Sequence, residues 1–155
     1  MKNIAIVFGC GGHREQANRF YKTFSYDEDI MFHGITDEGD SPAWCGKFLA
    51  LGPFRDKYSG ETVSFIKFLL NTYCAYKFLR KNKVSTLVSF GPGVAIFAGV
   101  AAKIAGCSII HFETWSKFYS PTITTRVMRY LTKNIFIQNI ELKDSIPYGK
   151  YVGRF

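Results

Sequence analysis

The run Ile4-Ala5-Ile6-Val7-Phe8 passes without a break into Gly9-Cys10-Gly11-Gly12-His13. A continuous apolar, β-branched run of this kind suits a strand buried on both faces of a parallel sheet. The glycines make the turn, and residues 13–24 read as a helix with Ala17, Phe20, Tyr21 and Phe24 on one stripe. The same punctuation returns further along. Residues 86–90 read as a second buried strand, Gly91-Pro92-Gly93 as its turn, and 94–105 as an apolar helix ending at Gly106, a residue suited to the position after a helix. Strands are also expected at 30–34, 47–51, 108–112 and 135–137. Ser120-Pro121 reads as the cap and first position of a helix running to about Thr132. Repeated strand–helix alternation predicts an α/β fold, a Rossmann-like parallel sheet with helices on both faces. The 155 residues suffice for one core, so residues 1–155 are expected to form a single domain.

The segment 61–80 reads as a long helix that is apolar nearly all round and ends in Arg80-Lys81-Asn82-Lys83. Cations at a helix C-terminus suit the macrodipole. A wide apolar face with a basic end suits a core, a partner protein or a membrane surface. No uncharged apolar stretch is long enough to span a bilayer, since the best candidate, 94–112, is broken by Lys103 and Gly106. The N-terminal apolar run is too short for a secretory signal. Cytoplasmic placement is expected, with peripheral contact to a membrane allowed.

Charge is distributed unevenly within a net of +8. Residues 1–61 carry nine acids and seven bases, whereas 62–140 carry ten bases and a single acid, Glu113. So one-sided a block points to an anionic partner: a phosphate-bearing ligand, an acidic membrane surface or a nucleic acid. Nucleic acid is disfavoured, because the bases lie on no single reading helix and no nucleic-acid motif is present. The cysteines at 10, 45, 74 and 107 form no Cys-x-x-Cys pair and have no histidine at ligand spacing. No metal site is therefore expected.

In open parallel sheets the ligand lies beyond the carboxyl ends of the strands. Three clusters belong there. The loop 9–13 offers glycines for close approach and free N–H groups at a helix start, which attract phosphate. It is not the dinucleotide fingerprint, because Arg14 stands where the third glycine belongs. No nicotinamide cofactor is expected. His13 is suited to bonding phosphate or to taking a proton from a hydroxyl. The second cluster is Ser89-Phe90-Gly91-Pro92-Gly93, and two glycine turns on one sheet edge would grip a diphosphate between them. The third is His111 to Lys117, where Glu113 ends a strand and is suited to act as a base or to hold a sugar hydroxyl. His111 inside the strand reads as a core histidine, and Cys10 as a small turn residue rather than a nucleophile.

This ordered set, joined by Arg126 and Tyr130, Phe136-Ile137-Gln138 and Tyr151-Val152-Gly153, resembles the PssD group of bacterial polysaccharide biosynthesis proteins. The group includes the membrane-anchoring subunit of the eukaryotic UDP-N-acetylglucosamine transferase of asparagine-linked glycosylation. The resemblance covers essentially the whole chain. It implies the N-terminal half of a GT-B glycosyltransferase, which binds a lipid-diphosphate acceptor while a separate small PssE-like chain binds the UDP-sugar. The expected reaction moves a sugar to a polyprenyl-diphosphate-linked saccharide in capsular or exopolysaccharide synthesis, on the inner face of the plasma membrane. Gly9, Gly11, Gly12, Arg14, Gly91 and Gly93 would receive the acceptor diphosphate. His13 and Glu113 would activate its hydroxyl, with Glu113 ahead, and no metal or other cofactor would be needed. A non-catalytic scaffold that recruits and activates the partner is the alternative. Two departures stand out. The chain has no transmembrane anchor like the eukaryotic subunit's, and Arg14 replaces a small or hydroxyl residue.

Overall fold

The computed structural model describes residues 1–24, 26–37, 39–54 and 62–154. Seven strands form one sheet: β1 (Lys2–Phe8), β2 (Ile30–Thr36), β3 (Phe48–Ala50), β4 (Thr86–Ser89), β5 (Ser108–Phe112), β6 (Ile135–Ile137) and β7 (Lys150–Tyr151). Their order is β3-β2-β1-β4-β5-β6-β7, and every pairing is parallel. Four helices connect them: α1 (Gly12–Phe24), α2 (Phe65–Lys81), α3 (Val94–Ala105) and α4 (Ile123–Met128).

Alternation along β1 divides the core. Ala5 and Val7 face the layer of α2, α3 and α4, where they meet Ala75, Leu79, Phe97 and Met128. Ile6 and Phe8 face α1, where Phe20, Phe90, Phe112 and the half-buried Trp44 complete an aromatic cluster. Both faces of the sheet are therefore covered, which explains why residues 4–8 of β1 read as an unbroken apolar run. The strand order reverses direction between β1 and β4. Ligands in such sheets occupy the crevice at that switch point, outside the carboxyl ends.

Three boundaries differ from the sequence expectation. The long helix begins at Phe65 rather than Glu61, because Ser64 caps it by accepting the Lys67 N–H; Glu61 itself lies outside the described residues. The helix expected to start at Ser120-Pro121 is capped instead by Thr122, whose hydroxyl accepts the Thr125 N–H. It ends at Met128, where Tyr130 and Leu131 take up tighter bonds to the carbonyls of Val127 and Met128. The tail contains a 3-10 turn at Ile140–Lys143 and the short edge strand β7, neither of which was expected.

α2 is not a core helix. Thr72, Ala75 and Leu79 are buried, but Phe65, Ile66, Leu69, Leu70 and Tyr73 on the other side are 51–73% exposed. No described helix is long and apolar enough to cross a membrane.

Candidate functional site at the carboxyl edge of the sheet

The turns after β1 and β4 flank the switch point and touch. A methyl group on Gly9 would lie 3.1 Å from Pro92 Cβ and 3.2 Å from Asp37 Oδ1, so the ends of β1, β2 and β4 converge here. The β5 end joins them: a methyl on Gly12 would lie 3.6 Å from the indole nitrogen of Trp115. Gly91 has a φ of +99°, a backbone conformation that only glycine adopts readily. Its α-carbon faces His13, and a methyl there would sit 3.5 Å from His13 Cε1. Gly93 is explained by packing, since a methyl there would come within 2.6 Å of Phe54 Cβ.

α1 begins at Gly12, and the Gly11 carbonyl accepts the Glu15 N–H. The N–H groups of a helix's first turn have no acceptor within the helix, and a helix start suits an anion. His13 stands in this turn. Burial holds its imidazole below the ordinary histidine range, while the Phe90 main chain and the carboxylates of Asp37 and Glu113 pull the other way. Nδ1 is buried without a hydrogen-bond partner. His13 is therefore neutral at pH 7 and has a lone pair available for a proton.

Glu113 is 0% exposed. Its Oε1 accepts the Thr114 N–H at 2.8 Å, and its Oε2 accepts the Thr122 N–H at 2.7 Å and the Thr122 hydroxyl at 3.2 Å. The Glu113 carbonyl accepts from Gln138 Nε2. Both carboxylate oxygens are thus engaged in closing the loop that leads to α4, with no exposed edge for a substrate hydroxyl. His13 faces the glycine turns, and Glu113 braces the loop behind them.

Arg14, one residue along the helix from His13, is carried around to the outer face. It lines a cleft of about 340 Å³ with Asn18, Tyr21, Lys22 and Trp44, rather than the junction of the glycine turns. His111 is fully buried, as expected of a core histidine, and burial pushes its pKa down to about 3. Cys10 is exposed. Among the described residues no cluster of three metal-ligating side chains occurs.

Sequence reasoning gave no separate role to two buried amides. Gln16 is 0% exposed, with neither amide atom hydrogen bonded, one turn beyond His13 on the buried face of α1. A polar residue within an otherwise apolar stripe was the available signal. Gln138, just after β6, leaves its Oε1 unpartnered. A buried unpaired amide costs roughly 1–3 kcal/mol.

No protein-family profile and no curated protein matches the chain. Solved structures do. MurG from Acinetobacter baumannii aligns with 17% identity and a TM-score of 0.67, over 88% of this chain and 41% of MurG. UDP-GlcNAc 2-epimerase from Neisseria meningitidis, solved bound to UDP-GlcNAc, aligns with 13% identity and a TM-score of 0.66, over 97% of this chain and 45% of the epimerase. A glycosyltransferase from Rickettsia africae aligns with 12% identity and a TM-score of 0.66, over 98% and 42% respectively. The chain spans less than half the length of each. What the likeness establishes is the fold: this single α/β domain has the architecture of one Rossmann-like half of a GT-B protein.

Proposed function

We propose that the chain is the acceptor-binding subunit of a two-chain, UDP-sugar-dependent glycosyltransferase, as in the PssD group it resembles. Its acceptor would be a polyprenyl-diphosphate-linked saccharide of capsular or exopolysaccharide synthesis, and a small donor-binding chain would supply the other half of the cleft. One observation carries this reading: a neutral histidine stands in the first turn of α1, at the switch point, where two glycine turns touch. Open N–H groups there suit the acceptor diphosphate. A ring nitrogen of His13 would meet the acceptor hydroxyl. As that hydroxyl attacks the anomeric carbon, His13 takes its proton and the nucleoside diphosphate leaves with the bonding electrons. Helix dipoles and N–H donors would stabilise the leaving group, without a bound metal.

The membrane role rests on α2. Its exposed apolar side chains lie on a helix free of acids whose last turn carries Arg80 and Lys81. That combination complements an anionic lipid surface on the inner face of the plasma membrane. Each apolar side chain, fully buried, contributes about 1.5–3 kcal/mol. Lipid contact through α2 would bring the acceptor's headgroup within reach of the same protein.

Titrating the chain with a short-chain prenyl diphosphate, followed by phosphorus NMR, tests the acceptor site. Saturable binding that weakens in Gly12→Asp, which places a carboxylate beside the helix start, supports the reading. Absence of binding at millimolar ligand contradicts it. The scaffold alternative is separated by pairing the partner chain with folded His13→Ala: a scaffold would still activate.

A further inference from the structure

Ser89 and His111 are register partners on the adjacent strands β4 and β5, and they open a buried chain of polar groups that the proposed chemistry does not use. His111 Nδ1 lies 3.1 Å from Ser89 Oγ, and that oxygen accepts the Gly91 N–H at 3.4 Å. On the other side, His111 Nε2 lies 2.6 Å from Thr125 Oγ1. The Thr125 and Thr122 hydroxyls are 3.2 Å apart, and Thr122 bonds Glu113 Oε2 through both its N–H and its hydroxyl. The chain thus runs from the turn that touches His13 to the carboxylate that caps α4.

Each hydroxyl has a single proton. The Thr122 hydroxyl is placed to donate to the Glu113 carboxylate and toward Thr125 Oγ1. A neutral imidazole, with one nitrogen donating and the other accepting, completes the contacts to Thr125 and Ser89.

We propose that His111 is a positioning residue of the candidate site: a neutral imidazole that ties Glu113 and the α4 cap to the Gly91 turn and so fixes the setting of His13. The inference rests on the reading of His13 as the base. His13 is faced by Asp37 from the end of β2, by Glu113 and His111 from β5 and by the Phe90 main chain. Shifting the Gly91 turn or freeing Glu113 therefore changes the proton affinity of His13. The depressed pKa of His111, about 3, keeps the relay in one state throughout the range in which His13 would work.

Long-range proton–nitrogen NMR of the full chain, labelled with nitrogen-15 at histidine, reads both residues without any substrate. His111 is expected to show the pattern of one neutral tautomer from pH 5 to 8, with no titration. Ser89→Ala and Thr125→Val cut the relay at opposite ends and are expected to move the His13 midpoint by about half a pH unit or more. Thr125→Ser keeps the hydroxyl and is expected to restore it. Ser89→Ala removes a single atom, so it decides the matter even where Thr125→Val fails to fold. A His111 that titrates between pH 5 and 8, or a His13 midpoint unmoved in folded Ser89→Ala, overturns the proposal. Because no transfer is measured, either result stands apart from the glycosyltransferase reading: a failed transfer assay removes that reading and leaves the relay's own NMR signature to be judged by itself.

Discussion

Glu113 and His13 both stand near strand ends at the same sheet edge, and their surroundings give them opposite uses. Glu113 has two backbone N–H donors and a hydroxyl on its carboxylate, whereas His13 has a buried nitrogen with none. Replacing Glu113 by Gln turns one acceptor into a donor facing an N–H, at a cost of roughly 1–3 kcal/mol. The expected result is a lower melting temperature, with any transfer activity keeping its pH profile. His13→Ala is expected to keep the melting temperature and cut transfer by roughly 10²-fold or more. As the base, His13 must be neutral, and its pKa lies below the ordinary 6.5. The rate is therefore expected to be flat at pH 7 and above and to fall with acid only below about 6.5; a rate rising toward acid would contradict the assignment. His13 was legible in the sequence because it follows a glycine turn at a helix start. Its rank relative to Glu113 was not legible. Sequence shows a carboxylate's type and isolation, but the donors that consume Glu113 come from Thr114 and from Thr122, nine residues on. Gly93 teaches the same point: its neighbour Phe54 is distant in sequence.

At the scale of elements, β1 and β5 were readable because local pattern and burial agree along their whole length. α2 was readable as a helix but not in its orientation. Apolar residues nearly all round hid a division between Thr72, Ala75 and Leu79, which face the core, and the stripe from Phe65 to Tyr73, which does not. The N-cap of α4 was misplaced because Ser120-Pro121 has the local signature, whereas Thr122 is selected by its bonds to Glu113. β7 has only two residues, too few for any periodicity to register. The exposed stripe supports a direct test. Leu69→Glu/Leu70→Glu alters two exposed positions, so the fold is expected to hold, with changes of about 0.5 kcal/mol or less per site. Co-sedimentation with vesicles containing phosphatidylglycerol is expected for the native chain and strongly reduced for the variant. Equal sedimentation of both would remove α2 from the membrane.

Over the whole molecule, strand–helix alternation made the parallel sheet and its carboxyl-edge site legible, since crossover connections leave few other arrangements. The strand order, which decides that the turns of β1 and β4 meet, depends on long-range pairing that no local window contains. The fold also carries an acid weakness. All three histidines have depressed pKa values, chiefly through burial. The unfolded chain binds their protons more readily, so stability present above about pH 6.5 is lost as pH falls toward the folded values. His111 alone contributes a slope of up to about 1.4 kcal/mol per pH unit between its ordinary value and about 3. Urea midpoints are expected to fall steadily from pH 7 to pH 5, and a midpoint independent of pH would contradict the burial assigned here.

The most direct measurement of the central claim is sugar transfer from a panel of UDP-sugars to a synthetic lipid-diphosphate saccharide. It compares this chain, a PssE-like donor-binding chain, and the two together. The account predicts transfer only in the mixture, lost with His13→Ala in this chain. Full transfer by the donor-binding chain alone would contradict it, because the acceptor-activating group would then lie outside this chain.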